Sequence, residues 1–262
     1  MEITKRSGKS IVDWRDWERP KKAYQWAPGR SSMELARAWF TSPAPVVPPE
    51  MTRLFASNPL TKGLTLTDGT PEFVTLLPER GEGRNHDLRL RGRTDQPVTV
   101  CVEAKADEPF GELVSETRKA GTDESGQPVG SSRKTQRLQA LLGLLFGPNA
   151  DPACPPWSEL RYQLLTAAAG TVIQTARDQA SLGVMVVHEF LTSKVDRSAK
   201  VAANAVDFAR FVGLLAGVGE AKVHDGKLYG PVTIPRRERL PHEVQLLVGK
   251  IVYDWSKEGA AS

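Results

Sequence analysis

The stretch HDLRLRGRTDQPVTVCVEAK, residues 86–105, decides the fold predicted for this chain. Two apolar, alternating segments flank the loop GRTDQP, and Gly, Asp and Pro in such a loop are typical of a β-hairpin. Alternate side chains of the second segment share one face of the strand, so Glu103 and Lys105 point one way and the valines and Ala104 point the other. The sequence therefore predicts a charged pair at the end of a strand whose opposite face is apolar.

The predicted hairpin places Asp87 beside Glu103. If the loop closes symmetrically, with Gly92 opposite Val98, each further pair moves one residue outward and Asp87 falls opposite Glu103. Directly opposed Cβ atoms lie about 4.5–5.5 Å apart, and like charges there destabilise a sheet. Two such carboxylates suit a divalent cation, and oxygen-only ligands favour Mg²⁺ or Mn²⁺. We therefore predict metal ligation by Asp87 and Glu103, with Lys105 orienting or polarising the attacking water.

Other elements are predicted on either side of the hairpin by their periodicity and by breaker residues. The proline-rich stretch SPAPVVPPE, residues 42–50, is predicted to break the chain after a first helix. The predicted strands beyond the hairpin cover 72–77, 182–190, 227–234 and 244–253, of which the last also permits a helix. The predicted helices cover 32–41, Asp107 to about Gly121, 134–146, 157–179 and 199–215. Together these elements predict an α/β fold with a mixed central sheet flanked by helices.

Composition excludes several classes of protein. The chain has 262 residues, of which 40% are hydrophobic and 25% charged, as in an ordinary globular protein. Its two cysteines have no pairing or metal-binding spacing, which predicts a reduced, cytoplasmic protein. No apolar run approaches the roughly 18 residues that a membrane span needs, and no GxxxxGK[ST] loop is present. We therefore expect neither a membrane protein nor an NTPase.

Residues 1–30 are predicted to form a basic, aromatic N-terminal arm, and residues 31–262 a single domain. The arm carries eight basic and four acidic residues, so it accounts for the chain's whole net charge of +4. Four aromatic residues lie among these basic residues: Trp14, Trp17, Tyr24 and Trp26. Basic side chains contact phosphates and aromatic rings stack on exposed nucleobases, so the two together suit nucleic-acid binding. Alternatively, the tryptophans would pack the arm onto the domain and the basic side chains would simply be solvated.

The spacing of Asp87, fifteen residues, then Glu103-Ala104-Lys105 resembles that of the PD-(D/E)xK nuclease superfamily. The resemblance covers about residues 31–190, in the order helix, three strands, helix. The phrase VEAKADEPFGE, followed by RYQLL, is similar to uncharacterised bacterial proteins described as restriction-endonuclease-like. The resemblance implies a restriction-endonuclease-like core and a magnesium-dependent phosphodiesterase, with DNA as the favoured substrate, serving in restriction or defence. One departure is His86, which stands where the family's nominal proline precedes the aspartate.

The resemblance also implies roles for three further residues. Family members often take a glutamate from the helix before the strands as a metal ligand, which would be Glu34. A capping box formed with Ser31 explains Glu34 equally well. Arg161 and Gln163 open a long helix that lies near the site in related nucleases, which implies contact with substrate phosphate or a metal-bound water.

Two other functions stay open at this point. A nuclease-derived protein that has lost hydrolysis would act as a nucleic-acid-binding or scaffold protein, although the intact Asp87, Glu103 and Lys105 favour the enzyme. A metal-binding regulatory protein without a nucleic-acid partner is a third interpretation, because the charge outside the arm is balanced. If the enzyme cuts duplexes with one site per chain, a two-fold homodimer is expected.

Overall fold

A seven-stranded mixed sheet organises the chain in this computed structural model, which describes residues 1–255 except 107, 124, 126, 128, 130, 131, 193–197, 238 and 239. Its strands are β1 (Glu2–Ile3), β2 (Thr65–Thr75), β3 (Arg84–Arg93), β4 (Pro97–Lys105), β5 (Leu182–Leu191), β6 (Leu228–Ile234) and β7 (Val244–Asp254). They are arranged in the order β1-β2-β3-β4-β5-β7-β6. The β1–β2, β4–β5 and β5–β7 pairs are parallel, and the other pairs are antiparallel.

Helices cover both faces of the sheet, so the predicted α/β fold with a mixed central sheet flanked by helices is confirmed. They are α1 (Ser31–Trp39), α2 (Pro49–Ala56), α3 (Val114–Lys119), α4 (Lys134–Phe146), α5 (Tyr162–Arg177) and α6 (Ser198–Ala216). One apolar cluster holds α1, α2 and part of the arm against the sheet, and a second holds α4, α5 and α6 on the other face. Within the described ranges, no helix has the length and apolarity to cross a membrane.

The β3–β4 hairpin has the predicted register. Gly92 pairs with Val98, and the pairing continues outward to Leu88 and Val102. The valines of β4 and Ala104 lie in the first apolar cluster, as the alternation of the sequence predicts. Glu103 and Lys105 consequently point toward the face that α5 covers, where Lys105 contacts Gln163.

Several predicted boundaries are wrong. The proline-rich stretch does not only break the chain, because α2 begins inside it with Pro49 in its first turn, where a missing N–H costs nothing. Strand β2 begins seven residues earlier than predicted and ends at Thr75. The helix after the hairpin is confined to α3, and Asp107, its predicted cap, lies outside the described residues. Residues 244–253, left open between strand and helix, form β7, which ends one residue later at Asp254.

The predicted capping box of α1 is also wrong. Arg30 is the N-cap residue and Ser31 is already helical, with its hydroxyl donating to Glu108 at 2.7 Å. The Glu34 carboxylate instead accepts the backbone N–H of Gly29 at 2.6 Å, just before the helix. Glu34 therefore still accepts a backbone hydrogen bond near the start of α1, but Ser31 does not complete a capping box with it.

The N-terminal arm packs on the domain through its tryptophans. Trp17 is fully buried and meets Phe40 edge to face, at 6.2 Å between ring centroids. Trp14 and Trp26 stack on each other at 6.4 Å and rest against the first apolar cluster. Tyr24 differs, because 62% of its surface is exposed.

Candidate active site

A cavity of about 540 Å³ opens where β2 and β4 end and β3 begins. Because β3 is antiparallel to both neighbours, these three ends meet at one edge of the sheet. Four carboxylates line the cavity: Glu72, Asp87 and Glu103 on the strands, and Glu82 in the connection before β3. The remaining walls come from the start of α5, from Arg137 of α4 and from arm residues such as Lys21 and Lys22. The cavity therefore brings the two predicted carboxylates, Asp87 and Glu103, together with two that were not predicted.

Asp87 is held at this edge by the backbone of β4. Its Oδ2 accepts a hydrogen bond of 2.7 Å from the N–H of Ala104, one residue after Glu103. Burial raises the pKa of the Asp87 carboxyl, and the Ala104 bond and the charges of Arg84 and Lys105 oppose that rise. The predicted proximity of Asp87 to Glu103 therefore depends on a hydrogen bond between a side chain and the backbone, just beyond the last paired residues of β3 and β4.

Glu103 lies between two cations. Its Oε1 is 3.0 Å from the Lys105 Nζ, and its Oε2 forms an ion pair with the Arg84 guanidinium. Lys105 Nζ also donates to Gln163 Oε1 at 2.9 Å. Burial lowers the pKa values of both Lys105 and Arg84, because it disfavours their charged forms. The site thus holds opposite charges that are nearly removed from water.

Glu72 is a residue of the site that the sequence pattern did not predict. It lies across from Asp87, because the flanking pairs join Pro71 to Leu88 and Phe73 to His86. Its φ of 52° is unusual for a residue other than glycine, and its carboxylate accepts from Asn85 Nδ2 at 2.5 Å. Burial and the charge of Asp87 raise the pKa of Glu72 to about 7. The β2–β3 register would have placed it, but the long connection after Thr75 does not fix that register.

The donor set suits a magnesium or manganese ion held by few protein ligands. Among the described residues no three His, Cys, Asp or Glu side chains stand as a ready-made metal cluster. Mg²⁺ is usually bound by one or two carboxylates and keeps several waters, so a ready-made cage is not required. The oxygen-only pair of Asp87 and Glu103, both lining the cavity, fits that coordination. Ligation by Glu103 would have to loosen its ion pair with Arg84.

Three further residues were predicted to serve the site, namely Glu34, Arg161 and Gln163, and the structure places them differently. Gln163 lines the cavity and contacts Lys105. Arg161 donates instead to Asp207 and to the Gly111 carbonyl, at 2.8 Å each, and is not among the cavity-lining residues in the described part of the chain. Glu34 is likewise outside that lining, and its carboxylate pairs with Arg37 at 3.4 Å. Only Gln163 of these three therefore joins the predicted site.

Comparison with known proteins gives a family but no activity. A family model described as a domain of unknown function (DUF6946) matches residues 8–254. No curated protein and no solved structure matches the chain. The function therefore has to be inferred from the site itself.

Proposed function

We propose that this chain, which belongs to the DUF6946 family of unknown function, is a metal-dependent nuclease that hydrolyses phosphodiester bonds of nucleic acid. DNA is the favoured substrate, and restriction or defence in the cytoplasm is the proposed setting. One observation carries the proposal. A single cavity brings Asp87 and Glu103 to the end of two paired strands, with Lys105 bonded to Glu103 behind them. The resemblance of D…ExK to the PD-(D/E)xK superfamily supports the same activity.

The two carboxylates and the lysine would have different chemical roles. Asp87 and Glu103 would hold a magnesium or manganese ion, which when bound makes a coordinated water more acidic and offsets charge on the phosphoryl oxygens. Lys105 is fixed by Glu103 and Gln163, so its ammonium group is already oriented when substrate arrives. A preorganised cation of this kind stabilises negative charge that develops on the phosphoryl group.

Arg84 supports a second candidate, a nucleic-acid-binding or scaffold protein without hydrolysis. Its guanidinium pairs with Glu103 and so neutralises a charge that a metal would otherwise neutralise. Arg84 Nε is buried without a hydrogen-bond partner. A fixed arginine beside the carboxylates would let the site bind phosphate without any metal.

The deciding experiment measures cleavage by the purified protein. Linear duplex, circular duplex, single-stranded DNA and matched RNA are incubated with Mg²⁺, with Mn²⁺ or with a chelator. We expect cleavage with either ion and none in chelator, and loss of cleavage in Glu103→Gln. Cleavage that persists in chelator would refute the metal mechanism. Binding of nucleic acid without cleavage of any substrate would favour the scaffold protein.

A further inference from the structure

The candidate cavity is bridged by an ion pair on its solvent side, between the arm and the loop before β3. Lys21 Nζ lies 3.1 Å from Glu82 Oε1, and both residues line the cavity. Their side chains are 66% and 84% exposed, so the pair sits at the rim. We propose that this bridged cavity selects single-stranded nucleic acid over duplex, an inference that rests on the proposed function for its role in catalysis.

Both ends of the bridge are fixed to the domain. On the arm side, Trp17 is buried four residues before Lys21 and packs against Phe40. On the loop side, Arg137 donates to the carbonyl of Glu82 at 2.6 Å and to that of Glu79 at 3.2 Å. The rim therefore has a defined shape and does not depend on the weak surface ion pair alone.

Two of the three proposed reactive groups are almost closed off from solvent. The side chains of Glu103 and Lys105 are only 5% and 3% exposed. A cavity of about 540 Å³ falls within the range of roughly 300–1,000 Å³ that accepts one small ligand. Duplex DNA is stiff over about 150 base pairs and cannot fold a phosphate into such a space. A single strand is flexible enough to enter it.

The rim offers the chemistry that a single strand requires. Lys21 and Lys22 line the cavity and supply positive charge for phosphates. Tyr24 lies next to this lining but not in it; it is the exposed exception among the arm's aromatic residues, and Lys22 Nζ lies 5.9 Å from its ring. Exposed aromatic rings beside basic residues stack on unpaired bases without sequence preference. The rim is therefore suited to a strand whose bases are free.

The test measures binding separately from hydrolysis. The affinity of the full-length protein, in chelator, is measured by fluorescence anisotropy for a labelled DNA strand, the matched RNA strand and the blunt duplex of the same sequence. We expect at least tenfold tighter binding of a single strand than of the duplex, and the tighter of the two strands identifies the preferred sugar. Equal or tighter binding of the duplex would overturn the proposal.

Variants of the rim provide the second part of the test. In Lys21→Ala/Lys22→Ala, single-strand affinity should fall and the slope of log affinity against log salt should flatten by about 0.7 for each phosphate that the variant no longer neutralises. Lys62→Ala, which removes an exposed lysine outside this cavity, should leave the slope unchanged. An unchanged slope in the double variant would contradict the proposal.

The same substrates separate this inference from the nuclease itself. Single-strand preference in binding, with no cleavage of any substrate in Mg²⁺ or Mn²⁺, supports the inference and refutes the nuclease. Cleavage of blunt duplex as fast as of single strands, without preference in binding, refutes the inference and supports the nuclease.

Discussion

The carboxylate of Asp87 accepts the backbone N–H of Ala104 at 2.7 Å, just beyond the last paired residues of β3 and β4, Leu88 and Val102. A side chain therefore continues the hydrogen bonding where the backbone ladder stops. The bond fixes Asp87 beside Glu103, whichever protonation state it adopts. It also separates two roles of Asp87 that mutagenesis can test, namely hydrogen-bond acceptor and negative charge.

Asp87→Asn should retain the acceptor and lose the charge. We expect the variant to fold like the wild-type protein and to lose Mn²⁺ binding, as measured by titration calorimetry. Asp87→Ala removes the acceptor as well and leaves the Ala104 N–H unpaired, at a cost of about 1–3 kcal/mol in the free energy of unfolding. Wild-type Mn²⁺ affinity in Asp87→Asn would contradict the assignment of Asp87 as a ligand.

Lys105→Met should slow cleavage without abolishing metal binding. Its buried ammonium group lies 3.0 Å from Glu103 Oε1, and removing one such preorganised group costs about 10²–10³ in rate. Lys250→Met is the matched control, because Lys250 is equally buried but pairs with Glu189 and Asp225 outside the cavity. The control should lose stability and keep its rate per folded molecule. An equal loss of rate in both variants would show that Lys105 acts only through folding.

Glu72 should make the stability of the protein depend on pH. Its pKa is raised from 4.5 to about 7 by burial and by Asp87, so the folded state binds the proton more tightly than the unfolded state. This stabilisation is complete below about pH 4.5 and is lost as the pH rises through 7, by a few kcal/mol at about 1.4 kcal/mol per pKa unit. Glu72→Gln should flatten that dependence in denaturant titrations, whereas Glu82→Gln, on the exposed rim, should not. An unchanged profile in Glu72→Gln would argue against a buried acidic pair.

Arg84→Met should distinguish a metal site from a permanent ion pair. Removing the guanidinium leaves the Glu103 carboxylate with less compensation, so the variant should unfold at a lower temperature in chelator. If Glu103 ligates a metal, Mg²⁺ or Mn²⁺ should raise that temperature more in the variant than in the wild-type protein. No stabilisation by either ion in both proteins would favour the scaffold function.

The sequence alone determined the β3–β4 hairpin and the direction of its charged side chains. A short loop between two alternating segments, three residues long in the structure, leaves little freedom of register, and a strand with one apolar face cannot slip by one residue without exposing that face. For this reason the pairing of Gly92 with Val98 and the common face of Glu103 and Lys105 were predictable. The positions of α4, α6 and β5 were predictable within one residue, because long apolar periodic segments carry their own signal.

Only the tertiary structure decided what surrounds that hairpin. Glu72 and the rim residues Lys21 and Glu82 reach the cavity across connections that no tight turn constrains, so their positions depend on how the whole chain packs. Arg161 and Gln163 illustrate the division between local and tertiary information. They lie two residues apart at the start of α5, so helix geometry alone turns their side chains to different sides, but only the tertiary structure supplies Lys105 as the partner of Gln163 and Asp207 as the partner of Arg161. Local periodicity fixes which residues share a face, whereas the partner of that face is fixed by contacts between segments distant in sequence.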